Sequence, residues 1–238
     1  RAVRKGAKLI VIDPRRIGLV DHADRFLRLN LGADVALFNA MANVIIEEGL
    51  EDREYVATRT TDYEEYAKHV KKFTPEWAEE ITGVPAEDIR GAAIDFAKAE
   101  RAGIYYTLGI TEHICGVGNV QSLCNLSLLT GNLGKRSAGI NPLRGQNNIQ
   151  GAGDCGALPN NYPGFQKVVD PVSQAKFEKI WGVPMDPDEG ITKIKALDYA
   201  VEGKVRAMWI VGENTLVTDP DMAHTRRAFE ALDFLIVQ

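Results

Sequence analysis

An α/β architecture, with parallel sheets flanked by helices, is the fold class predicted by three observations. Short apolar runs, Lys8-Leu9-Ile10-Val11-Ile12 and Ala207-Met208-Trp209-Ile210-Val211, have the composition of buried strands. Between the strand-like runs lie stretches whose apolar residues recur at helical spacing. Strand and helix patterns then alternate along the chain, the order expected of parallel strands with crossover helices. A length of 238 residues suits one large domain or two smaller ones, and 45% apolar residues supply material for a core. No apolar run approaches the ~20 residues of a membrane span.

Taken in order, Arg1 to Gly6 reads as the last turn of a helix, basic and closed by glycine. The strand at 8–12 stops at Asp13-Pro14, because proline cannot donate to a ladder. Arg25 to Leu31 alternates apolar and polar residues and reads as a second strand. Asp34 follows as an N-cap for a helix over 35–48, in which Leu37, Phe38, Met41, Val44 and Ile45 share one face. Thr74-Pro75-Glu76 and Pro85-Ala86-Glu87 are helix starts within the charged stretch 52–98. A strand is expected over 102–110 and a helix from Val120 to Leu128, closed at Gly131. From Asn132 to Phe165 no period survives, and a long irregular segment is expected. Helices near 174–180, 191–201 and 221–232, the strand at 207–211 and a last strand at 234–238 make a second α/β set. The domain boundary is placed at 146, giving domains 1–146 and 147–238. Both ends read as cuts through a larger protein.

Several function classes are disfavoured by composition. A net charge of -5, with basic residues scattered, offers no footprint for a nucleic-acid backbone. Cys115, Cys124 and Cys155 have no knuckle spacing and leave one over after any pairing, which argues against a disulfide scaffold and for a reducing, cytoplasmic setting. The four histidines are equally dispersed, so no metal ligands are assigned. Gly116-Val117-Gly118 lacks the third glycine of a dinucleotide fingerprint, and there is no Gly-Lys-Ser/Thr phosphate loop.

Ligands of open parallel sheets bind at the carboxyl ends of strands. The residues there are Asp13-Pro14-Arg15, Gly32-Ala33-Asp34, Gly109 to His113, and Gly212-Glu213-Asn214. Acidic groups after strands suit ribose or a base edge, and Arg15 suits phosphate, so a nucleotide-bearing ligand is expected. The richest stretch is Asn141-Pro142-Leu143-Arg144-Gly145-Gln146-Asn147-Asn148, continuing through Gly151, Gly153 and Cys155. Its amides donate and accept together, its glycines admit close backbone approach, and Arg144 brings a planar fork suited to a carboxylate.

That run, with Leu128-Leu129-Thr130-Gly131-Asn132-Leu133-Gly134 before it and Gly212-Glu213-Asn214 and Thr218-Asp219 after it, resembles the molybdenum- or tungsten-dependent formate dehydrogenases. These belong to the bis-molybdopterin guanine dinucleotide family, and the resemblance runs along essentially the whole chain. It implies Rossmann-like parallel sheets of the formate dehydrogenase/dimethylsulfoxide reductase type and parts of two dinucleotide-binding domains. It also implies a fragment that is inactive alone. Arg144 would lie beside metal and substrate, and Gln146 against the pterin. Asp13, Arg15, Gly32, Asp34, Glu112, Gly212, Glu213, Asn214 and Thr218 would line the dinucleotide arms, although an amide is expected at the Glu112 position in relatives. Cysteines for a 4Fe-4S cluster, and the selenocysteine or cysteine metal ligand, would lie upstream of these residues. The implied partners are formate or CO2, the rest of the same polypeptide and electron-transfer subunits. Two alternatives stay open: another family member acting on nitrate, arsenate or a sulfur compound, and a non-catalytic scaffold homologue. A periplasmic location also stays open.

Overall fold

In the computed structural model, which describes all of Arg1–Gln238, the first apolar run becomes strand β1 (Ile10–Ile12). It lies parallel to β2 (Arg25–Leu27), with Val11 opposite Phe26. The chain separates into two units, Arg1–Arg144 and Gly145–Gln238. Ahead of β1 a single 3-10 turn, Val3–Lys5, closes at Gly6 with φ +91°. Strand β2 is shorter than its alternating sequence suggests. Beyond Leu27 the backbone finds another partner, Asn30 N donating to Thr82 O at 2.7 Å.

Helix α1 (Asp34–Glu47) organises the first unit. Ala33 occupies its cap position and Asp34 its first turn, so Asp34 is not the N-cap that its place in the sequence suggests. Every residue from Ala36 to Ile45 is buried. A helix buried around its circumference belongs in an interior, and α1, whose buried Asn43 donates to Val70 O at 3.3 Å, packs against α3 (Tyr63–Val70), α4 (Pro75–Thr82), α5 (Ala86–Lys98) and α7 (Gly116–Leu129). Helix α2 (Arg53–Arg59) rests on α7. Leu37, Ile45, Ile89 and Leu126 are fully buried, each stabilising by roughly 1.5–3 kcal/mol. Asp52 and Thr74 cap α2 and α4 through side-chain oxygens. Lys8 and Arg25 both reach Asp95 at 2.5 Å, tying the start of β2 to α5 and holding that carboxyl below its usual range.

The expected strand over 102–110 ends early. Strand β3 (Gly103–Tyr106) gives way at Thr107 to a one-turn helix, α6 (Leu108–Thr111). After α7, strand β4 (Gly139–Pro142) returns parallel to β3, with Ile104 opposite Ile140. Fully buried Asn132 ties the end of α7 to the start of β3, accepting from Ala102 N at 2.9 Å and donating to Thr130 Oγ1 at 2.8 Å.

In the second unit α8 (Ile149–Asp154) precedes an antiparallel hairpin, β5 (Asn161–Tyr162) and β6 (Gln166–Lys167). The stretch 132–165, expected to be irregular, thus carries β4, α8 and β5. Asp170 caps α9 (Pro171–Trp181), whose Phe177 stacks on Tyr162 at 4.6 Å between ring centres. Then come α10 (Lys193–Val201), β7 (Ala207–Ile210), α11 (Thr215–Thr218), α12 (Met222–Glu230) and β8 (Phe234–Val237). Strands β7 and β8 are parallel, Met208 facing Leu235. Leu197 and Ala200 of α10 meet Ala228 of α12, with Met208 packed on them, in a small core. The opposite sheet face leaves Trp209, Phe234 and Ile236 exposed. No helix is long and apolar enough to cross a membrane.

Candidate functional site

In the first unit the strand ends carry the candidate residues outward. Asp13 follows β1 directly; its N–H donates to Leu27 O at 3.3 Å, and its Oδ1 accepts from Arg15 N at 2.7 Å. This turn fixes the backbone of Arg15 and leaves its side chain exposed. Arg28 Nε donates to Pro14 O at 3.1 Å and braces the same turn. Gly32 takes φ +79° beside Leu31, which is 82% exposed. Asp34 is buried in the first turn of α1. Burial pushes its carboxyl above the ordinary range, opposed by its own backbone N–H and by the nearby charge of His113.

Helix packing brings two of these loops together. A Cβ placed on Gly118, in the first turn of α7, would sit 3.6 Å from Val35 Cγ2 in the first turn of α1. The amino-terminal ends of α1 and α7 therefore lie side by side, with Asp34 near His113. Both ends carry partial positive charge, which favours anionic groups nearby. Gly116 allows the end of α6 to close onto the start of α7, since a Cβ there would meet Thr111 O at 2.1 Å. Buried Asn119 secures the same corner, donating to Ile110 O at 2.8 Å. His113 Nε2 lies 2.9 Å from Gly109 O, while Glu112, closing α6, points its carboxylate into an exposed position.

Arg144 follows β4. Leu143 N donates to Tyr106 O at 2.7 Å, extending the β3–β4 ladder by one bond and delivering Arg144 at the carboxyl end of both strands. Its guanidinium is exposed and takes part in no ion pair. Gln146, Asn147 and Asn148 are exposed as well and open the second unit, Asn148 with φ +54° ahead of α8.

The second unit gathers Gly212, Glu213, Asn214 and Thr218 after β7. Gly212 takes φ +65° and its N–H donates to Gln238 O at 2.8 Å. Asn214 begins α11 and its carbonyl accepts from Thr218 N at 3.0 Å, while its amide is exposed. Thr218 Oγ1 donates to Glu213 Oε1 at 2.9 Å. Two further residues belong here, Lys193 and the buried Asp219, with Lys193 Nζ 2.9 Å from Glu213 Oε1. Nothing local in the sequence marks Lys193 apart from Thr192 before it, which caps α10. Asn119 is equally silent, being one polar residue in an amphipathic helix. No group of three or more His, Cys, Asp or Glu residues is placed to hold a metal ion.

A family model described as Molybdopterin oxidoreductase matches residues 1–238. Formate dehydrogenase H of Escherichia coli is 50% identical over 238 residues, all of this chain and 33% of that protein. The F420-dependent formate dehydrogenase subunit alpha of Methanocaldococcus jannaschii is 47% identical, covering 100% of this chain and 35% of its own length. Among solved structures, acetylene hydratase from Pelobacter acetylenicus superposes with a TM-score of 0.72 at 25% identity, over 99% of this chain and 35% of that one. The chain thus spans about a third of the length of these relatives.

Proposed function

Because the chain belongs to the molybdopterin oxidoreductase family, we propose that it forms part of the cofactor cradle and the formate pocket of a formate dehydrogenase catalytic subunit. The donor set fits a pterin dinucleotide. Arg15 offers a guanidinium for phosphate, Asp13 and Glu213 offer carboxylates, Gln146 and Asn214 offer amides, and Gly32 before α1 and Gly212 after β7 keep the backbone open at positive φ. Asp13, Arg15, Gly32 and Glu112 serve one arm of a bis-guanine dinucleotide, and Gly212, Glu213, Asn214 and Thr218 the other. Asp34, buried and without an open carboxylate, holds the start of α1 beside the first arm. The two domains 1–146 and 147–238 correspond to these two arms. When bound, the molybdenum or tungsten cofactor supplies the two-electron redox chemistry. The 4Fe-4S cluster, its ligands and the electron-transfer partners lie outside these 238 residues.

The observation that carries this reading is Arg144, an exposed guanidinium with no ion-pair partner at the carboxyl end of β3 and β4. Formate has one carboxylate and almost no apolar surface, so only charge-assisted hydrogen bonds can orient it. The planar fork of Arg144 makes two such bonds at once, holds the C–H away from itself and stabilises charge as formate becomes CO2 with loss of a proton and two electrons. The similarity to proteins named as formate dehydrogenases favours formate over nitrate, arsenate or sulfur substrates. In the full-length protein, Arg144→Ala should cost about 2–4 kcal/mol of transition-state stabilisation with metal and pterin content unchanged. Arg144→Lys keeps the charge without the fork and should fall between. Near-normal kcat and KM for formate in Arg144→Ala, or a loss traced wholly to missing cofactor, would overturn the assignment.

A further inference from the structure

We propose that Lys193 is a positioning residue that sets the loop 212–219 for its ligand, an inference resting on the reading of Glu213 and Thr218 as cofactor contacts. Lys193 reaches the loop from the first turn of α10, 20 residues before Glu213 and 26 before Asp219. Its ammonium bonds Glu213 Oε1 at 2.9 Å and Asp219 Oδ1 as well. The side chain of Asp219 is only 9% exposed, so its charge needs a close counter-ion. Thr225 Oγ1 supplies its other oxygen with a longer contact, 3.5 Å. Glu213 Oε1 accepts from Thr218 Oγ1 in addition to Lys193. One oxygen of Glu213 is therefore held from two sides, and Oε2 remains as an acceptor at the carboxyl end of β7. Two carboxylates against one ammonium leave the loop formally negative. That charge suits a ligand portion rich in N–H and O–H donors better than a phosphate.

The same geometry says what the lysine does. Without it Glu213 and Asp219 repel, the Glu213 rotamer is released, and the ligand must order the loop as it binds. Its own bonds to Asp219 and Glu213 keep Lys193 protonated, so the counter-charge persists across the working pH range.

The test uses full-length, cofactor-loaded protein and measures pterin and nucleotide retained per chain after gel filtration, beside the melting temperature of the cofactor-free form. Lys193→Met and Glu213→Ala should each speed nucleotide loss by about tenfold, the scale of one charge-assisted hydrogen bond. The double variant should be no worse than the poorer single, and Lys193→Arg should recover most of the retention. Lys193→Met with Asp219→Asn removes the uncompensated buried charge. Native-like melting with retention still poor supports positioning, whereas full retention shows that Lys193 only neutralises Asp219 and overturns it. If Lys193→Met retains cofactor while Glu213→Ala loses it, positioning fails and the reading of Glu213 stands. If Glu213→Ala retains cofactor, the reading of Glu213 itself fails.

Discussion

Asp34 shows what burial at the start of a helix demands of a single carboxyl group. Its folded-state carboxyl is raised above the ordinary value, chiefly by burial. A group raised in this way contributes stability that is present below its unfolded pKa and lost as pH rises through the folded one. Asp34→Asn should therefore gain stability over the parent as pH climbs from about 4 to about 7, with the difference vanishing at the acid end. Paired urea titrations across that range check it; a difference independent of pH would show that the charge costs nothing where it sits. The residues most readable from the sequence were those following strands, since Asp13, Arg15, Arg144 and Glu213 stand at carboxyl ends in the structure, whereas Gly32 lies five residues beyond β2, at the entry to α1. Lys193 and Asn119 were not readable. Their roles depend on partners 20 or more residues away for Lys193, and on a helix packing corner for Asn119.

At the scale of elements, helices were legible where capping and period agreed, as in α4 with Thr74 and Pro75, while α1 was legible from its apolar period alone. Strand β4 was hidden because Gly139-Ile140-Asn141-Pro142 has one β-branched residue and ends in proline; its pairing comes from β3, begun by Gly139 N donating to Ala102 O at 3.0 Å. Helix α6 was hidden because it begins inside an apolar run that continues β3. Gly131, expected as a helix stop, does more than stop α7. It takes φ +61°, and a Cβ there would meet Asp52 Oδ2 at 2.4 Å. Asp52 in turn caps α2 by accepting from Tyr55 N at 3.0 Å and donates its own N–H to Leu129 O at 2.7 Å. Gly131→Ala should thus combine backbone strain with a disturbed cap and lower stability by about 2 kcal/mol. Denaturant unfolding of the variant checks this, and a change under about 0.5 kcal/mol would mean that the turn relaxes freely.

For the whole molecule, an α/β organisation was legible from alternation alone, while the division of the strands into four two-stranded sheets was not. Pairing partners lie far apart, Gly103 opposite Gly139 and Ala207 opposite Phe234, and short apolar runs do not name their neighbours. The interior is also unequally shared. Around α1 the first unit buries Leu27 of β2 and residues of four helices, with Ile10 and Ile12 of β1 and Ile104 and Tyr106 of β3 packed against them, whereas the second unit's β7–β8 sheet rests on Leu197, Ala200 and Ala228. Translated into amide hydrogen exchange, the first unit should keep its protons longest in α1, buried from Ala36 to Ile45, and in the later turns of α7, where Leu123, Leu126 and Leu129 are buried. Amides of β7, β8, α10 and α12 should exchange well before them through local opening, because little apolar area holds that layer shut. Deuterium uptake followed by mass spectrometry reads this directly, and equal protection in α1 and α12 would show one cooperative unit in place of a stable first unit and a readily opened second one.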